Sequence, residues 1–95
     1  MPEWKSRAHL EDHYYRHRRE FPGLSMEQYD ASARETVALG TRFTYRDRQT
    51  GLLRVGYFHR DSSRMTVVGA DGVTVSHFRT DEEYVTLLPL TTYRD

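Results

Sequence analysis

The histidines are the residues of this sequence best suited to acid–base chemistry, and three of the five share a regular spacing. His9, His13 and His17 are four residues apart, so a helix would bring neighbouring members together on one face. Because an imidazole exchanges protons near neutral pH, His13 and His17 could act as general base and general acid. The spacing leaves two alternatives open, a bound metal ion or a solvent-exposed polar helix face. Since no glutamate follows His13 and no third ligand is evident, we predict no metal site and no cofactor.

A second group of polar residues lies in the C-terminal half. Arg54 lies within an otherwise apolar segment, where a charged side chain must be paired or must face an open side of a sheet. Ser76 and His77 lie on the last predicted strand, and Tyr84 begins the helix that follows. With the helix histidines, these groups would suit metal-independent cleavage of RNA, in which a base activates the 2′-hydroxyl and arginine stabilises the phosphorane. The alternatives are that Tyr84 anchors the core and that His77 is an ordinary exposed strand residue.

Charge is balanced over the whole chain but not along it. Fourteen basic residues match fourteen acidic ones, which disfavours a strongly basic DNA-binding protein. Residues 41–64 nevertheless carry six arginines against two aspartates. Arginine offers a planar donor fork that fits phosphate, although an arginine-rich source composition would explain the same bias. We assign substrate binding to four residues: Arg42, Arg46, His77 and Arg79.

Capping residues and hydrophobic period predict the elements that must position these groups. Ser6 is a suitable N-cap for a helix over 6–21, and Ser25 with Gln28 forms a capping box for a second helix that ends at Gly40. We expect Gly40 to be the left-handed residue after that helix. A third, short helix follows a capping box that begins at Thr80. Alternating residues predict four strands, at 42–47, 52–59, 64–68 and 73–79.

This order predicts a single α+β domain over residues 1–95. Short connections favour an antiparallel meander, with the helices packed on one sheet face and the other face open to a ligand. Helix phase places His13 and His17 on the flank that faces the sheet. On the last strand, Val75 and His77 are expected on one face and Ser76 on the other. Residues 90–95 are expected to be a frayed tail.

The sequence lacks cysteine and long apolar segments, and both features bear on its cellular location. Without cysteine, disulfides and thiolate catalysis are excluded. No apolar segment approaches the roughly 20 residues of a membrane span, and the first residues lack the apolar segment of a signal peptide. We therefore expect a cytoplasmic protein that does not contact membranes.

Two segments resemble a known group of domains. The segment from His13 to Tyr29 resembles the pattern H-x-x-[KR]-H…E-F…S-x-E-x-Y, which begins many small bacterial and phage domains. The residues from Arg54 to Phe58 and from Gly72 to Arg79 resemble the sheet of the same domains. These domains form the superfamily of barnase-like, EndoU-like, colicin-type and RelE-type nucleases, known as the BECR fold.

The resemblance implies helices followed by a four-stranded antiparallel sheet, and metal-independent endoribonuclease activity of the kind found in bacterial toxins. It places His13, His17, Arg54 and Ser76 at positions that match the family pattern, with Ser76 in place of the more usual threonine. RNA would be the substrate, and an immunity or antitoxin protein would be a partner. Because many such toxins are strongly basic and this chain is neutral, the alternative is a non-catalytic protein-interaction or regulatory module of the same fold.

Overall fold

The computed structural model describes residues 3–92, in which helices precede four antiparallel strands and a short helix and a fifth strand follow them. The α+β prediction is confirmed. Single 3₁₀ turns occupy Arg18–Glu20 and Arg60–Ser62. The helices are α1 (Arg7–His17), α2 (Met26–Leu39) and α3 (Glu82–Thr86). The strands are β1 (Thr41–Arg46), β2 (Leu53–His59), β3 (Arg64–Gly69), β4 (Thr74–Arg79) and β5 (Leu90–Thr92).

Helices α1 and α2 begin at the side-chain caps that the sequence predicted, Ser6 and Ser25. The Ser6 hydroxyl accepts the His9 amide proton over 3.1 Å. In the capping box, Ser25 accepts from the Gln28 amide over 3.2 Å, and the Gln28 side chain accepts from the Ser25 amide over 2.8 Å. The third helix starts one residue later than predicted, because Asp81 rather than Thr80 supplies the cap.

Gly40 ends α2 for a different reason from the one predicted. Its φ is −77°, so it is not in the left-handed region. A Cβ atom at this position would lie 2.6 Å from the Thr36 carbonyl oxygen and 3.1 Å from the backbone of Phe58. Glycine is needed here because the Thr36 carbonyl and the backbone of β2 leave no room for a Cβ atom.

The sheet has the order β4-β3-β2-β1-β5, and its neighbouring strands are antiparallel. The four predicted strands form the expected meander. Residues 90–92, predicted as part of a tail, instead form the fifth strand by pairing with β1. The rest of that predicted tail, 93–95, lies outside the described residues.

Both faces of the sheet bury side chains. On one face α2 packs against β3, and the Thr66 hydroxyl donates to the Ala33 carbonyl over 3.0 Å. The prediction that the opposite face is open is wrong, because that face carries large apolar side chains and α3 covers them. The buried cluster there consists of Phe43, Tyr45, Phe58, Met65, Val67 and Val85.

An irregularity in β4 changes which face its residues occupy. Ser76 pairs with Val67, but Thr74 rather than Val75 pairs with Val68. This β-bulge interrupts the alternation of side chains. As a result Val75 packs against the apolar cluster beneath α3, on the opposite face from His77, and not beside His77 as predicted.

Within residues 3–92, no helix combines the length and apolar character that crossing a bilayer requires.

Candidate active site

A shallow groove of about 400 Å³ lies where the end of α1, strand β4 and the start of α3 meet. Its lining residues are His17, Glu20, Ser76, Phe78, Arg79, Thr80 and Tyr84. Four of these residues were predicted from the sequence: His17, Ser76, Arg79 and Tyr84. The sequence places them on three separate elements, and the packing of α1 and α3 around one edge of the sheet brings them together.

A histidine–carboxylate pair is the most ordered feature of this groove. The Nδ1 atom of His17 lies 2.7 Å from Oε2 of Glu20. The other carboxylate oxygen, Oε1, accepts the backbone N–H of Arg79 over 2.9 Å. Because a carboxylate accepts hydrogen bonds, this contact favours a proton on Nδ1, and the tautomer with that proton has its lone pair on Nε2. Among residues 3–92 nothing hydrogen-bonds to that Nε2, and 19% of the His17 side chain is exposed.

Aromatic packing holds the imidazole of His17 in place. Its ring centroid lies 5.9 Å from that of Phe78 and 6.0 Å from that of His13. Phe78 in turn meets the Tyr84 ring edge to face, with centroids 5.7 Å apart. These contacts restrict the ring plane of His17, while Glu20 favours the tautomer with its proton on Nδ1.

His13 lies behind His17 rather than in the groove. It is only 8% exposed, and its ring packs against those of Trp4, His9 and His17. Burial, followed by the nearby His9, lowers the pKa of His13 to about 4. Its Nδ1 atom has no hydrogen-bond partner among the described residues. The structure therefore does not bring His13 into the groove with the other predicted residues, because the His13 ring is buried behind His17.

His77 is enclosed in the core. Its side chain is 0% exposed, so the predicted substrate-binding role is wrong. Nδ1 donates to the Met65 carbonyl over 3.0 Å and lies 2.9 Å from the Thr66 hydroxyl. Nε2 lies 2.9 Å from the Ser32 hydroxyl, which donates to it. Burial is the main reason that the pKa of His77 falls to about 3.

The predicted arginines do not gather on one surface. Arg54 lies opposite Tyr45 and therefore shares the face of the apolar cluster. Arg42 and Arg46 alternate with Phe43 and Tyr45 on β1, so they lie on the other face. Of the predicted site arginines Arg42, Arg46, Arg54 and Arg79, only Arg79 lines this groove. A single phosphate site built from all of them is excluded by the two-residue period of a strand.

The sequence did not predict that Glu20, Phe78 and Thr80 line the groove. A signal was present for Glu20, because residues three apart on a helical stretch are neighbours and Glu20 follows His17 by three. Phe78 and Thr80 carried no such signal, since their place in the groove depends on how α1 and α3 flank β4.

In the part of the chain that the structure describes, no three histidine, aspartate or glutamate side chains converge as metal ligands. No protein-family model, curated protein sequence or solved structure matches this chain. The resemblance to BECR-type nucleases therefore stays a prediction that rests on the two sequence segments.

Proposed function

We propose that the groove cleaves RNA phosphodiester bonds, with His17 as the general base and without a catalytic metal ion. The observation that supports this most directly is the 2.7 Å contact between His17 and Glu20, with Glu20 itself held by the Arg79 amide. This arrangement favours a proton on Nδ1 and leaves Nε2 as the acceptor. Abstraction of a ribose 2′-hydroxyl proton requires a general base with a free acceptor atom such as this Nε2.

The reaction then proceeds by transfer within the RNA strand. His17 Nε2 takes the 2′-hydroxyl proton, the 2′ oxygen bonds to phosphorus, and the bond from phosphorus to the 5′ oxygen breaks. The products are a 2′,3′-cyclic phosphate and a 5′-hydroxyl, whose proton comes from water at the open side of the groove. The His17 imidazolium then releases its proton to the hydroxide that this water leaves, which restores the base. Glu20 stabilises the imidazolium that forms, and the Arg79 guanidinium stabilises the charge on the phosphorane.

The alternative is a non-catalytic groove that binds a protein. Two observations favour it: the acidic residues Asp81, Glu82 and Glu83 follow directly after Thr80, which lines the groove, and Leu87 at the end of α3 is 64% exposed. Acidic side chains repel a phosphate backbone, and an exposed leucine suits a protein contact. The two functions differ in whether the protein cleaves RNA with His17 as the base or only binds a partner.

The test is cleavage of a mixed-sequence RNA by the purified chain with EDTA present. We expect the wild-type protein to yield cyclic phosphate and 5′-hydroxyl ends. His17→Gln keeps a polar side chain but no base, and should cut at least about 100-fold more slowly. His59→Gln is the matched control, because His59 is a partly buried histidine that bonds Ser62 and does not line the groove.

Two results would contradict the proposal. Failure of the folded wild-type protein to cut RNA would remove the nuclease function and favour the protein-binding groove. Equal cleavage by wild type and His17→Gln would show that the base is another group.

A further inference from the structure

A second groove adjoins the first one and shares Tyr84 with it. This groove has a volume of about 480 Å³ and lies between the turn that joins β1 to β2 and the end of α3. Arg46 and Arg48 line one side of it, and Leu87 lines the other. Because Tyr84 lines both grooves, a chain molecule that leaves the His17 groove past this ring would enter the second groove directly.

Tyr84 is an exposed aromatic ring that the fold holds in position. The side chain is 43% exposed, although tyrosine ordinarily buries much of its ring. Phe78 meets the ring at an interplanar angle of 86°, and Asp81 accepts the Tyr84 amide proton over 2.9 Å. Because the Tyr84 ring is already held in position, a nucleotide base could stack on it without the cost of ordering the side chain. Stacking on an aromatic side chain is open to any of the four bases.

The second groove carries more positive charge than the first. Arg48 donates to the Leu87 carbonyl over 2.6 Å, and Arg46 donates to the Gly51 carbonyl over 3.1 Å. A carbonyl does not neutralise a guanidinium, and each guanidinium has five N–H donors, so donors remain for a phosphate. Asp47 lines the same groove, and its carboxylate accepts hydrogen bonds from the hydroxyl and the amide of Thr50, which lower its pKa.

We infer that a single-stranded RNA passes from the His17 groove over Tyr84 into the second groove. One base next to the cleaved bond stacks on Tyr84, and the following phosphate binds Arg48. The inference rests on the proposed function and adds the substrate class, since stacking on a side chain requires an unpaired base. It also gives Tyr84 a substrate-positioning role in place of the catalytic role expected from the sequence.

The experiment measures binding separately from cleavage. In the His17→Gln background, the anisotropy of a fluorescein-labelled RNA of about 12 nucleotides reports the Kd for single strand and for duplex. Tyr84→Leu should weaken single-strand binding by about 5- to 100-fold, whereas Tyr84→Phe keeps the ring and should stay within about twofold. Arg48→Gln should weaken binding and reduce its salt dependence by about one phosphate contact.

Matched controls lie on α1, away from both grooves. Tyr15→Leu removes an exposed tyrosine and Arg7→Gln removes an exposed arginine, and neither should change the Kd. Circular dichroism of each variant confirms that the fold is retained.

The outcomes separate the two proposals. Equal binding by Tyr84→Leu and its parent, equal affinity for duplex and single strand, or no RNA binding at all overturns the inference. If the wild-type protein cleaves RNA while Tyr84→Leu binds normally, only the inference fails. If binding depends on Tyr84 but the wild-type protein never cuts, the RNA path holds and the nuclease function fails.

Discussion

The buried imidazole of His77 should make the fold sensitive to acid. In the folded chain its pKa is lowered from 6.5 to about 3, chiefly by burial. Between these two values the unfolded chain binds a proton at this site and the folded chain does not. The stabilising effect of the neutral ring is therefore complete above about pH 6.5 and is lost as the pH falls toward 3.

The loss of unfolding free energy follows from the difference between the unfolded and folded pKa values of His77. At 1.36 kcal/mol for each pKa unit, His77 alone removes about 3 kcal/mol from the free energy of unfolding between about pH 7 and pH 4. Domains of this size have total stabilities of about 5–15 kcal/mol, so the loss is a large part of the whole. His13, with its pKa lowered to about 4, adds a loss of the same sign.

The variant His77→Gln isolates the contribution of this one ring. Glutamine does not titrate, and it weakens the hydrogen bonds to Ser32 and Met65, so we expect it to be less stable than wild type by about 1–3 kcal/mol at neutral pH. Between about pH 7 and pH 4 it should then lose about 3 kcal/mol less than wild type. His13 and the carboxylates titrate in both proteins and cancel in the comparison.

Urea unfolding, followed by circular dichroism at several pH values, measures these free energies. The control His59→Gln loses a contact with Ser62 and is expected to be less stable at every pH, but it keeps the His77 ring and should therefore lose stability in parallel with wild type as the pH falls. If wild type and His77→Gln lose stability in parallel as the pH falls, the folded chain accommodates the imidazolium, and the argument from burial is refuted.

Two further predictions concern the groove and the sheet. Glu20→Gln should lower kcat for RNA by about 100-fold with little change in KM, because an amide N–H facing Nδ1 favours the tautomer whose Nε2 cannot accept a proton. Glu11→Gln, on the exposed side of α1, is the control, and an equal loss there would contradict this reading. Gly56→Ala should destabilise the fold by about 1–3 kcal/mol, since the Phe43 ring fills the space that a Cβ would need. A shift below about 0.5 kcal/mol in urea unfolding would show that the ring moves aside without cost.

Features that depend on neighbours along the chain were predictable from the sequence. The caps at Ser6 and Ser25 bond amides three residues away, so the sequence contains both partners of each bond. The meander follows from short turns between alternating strands in the same way. Strand β5 and the bulge at Val75 were not predictable, because each is set by the register against another strand rather than by the residues within it.

The candidate site likewise has features that the sequence predicted and features that only tertiary packing set. Residue type and spacing identified His17 as a group able to move protons and predicted that α1 turns it toward the sheet. Tertiary packing decided that Glu20 orients this ring and that His77 is buried beneath α2. It also decided that Arg42 and Arg54 lie on opposite faces of the sheet. Chemical capability belongs to a side chain by itself, whereas burial, the pKa and the identity of its neighbours arise only when separate elements pack together.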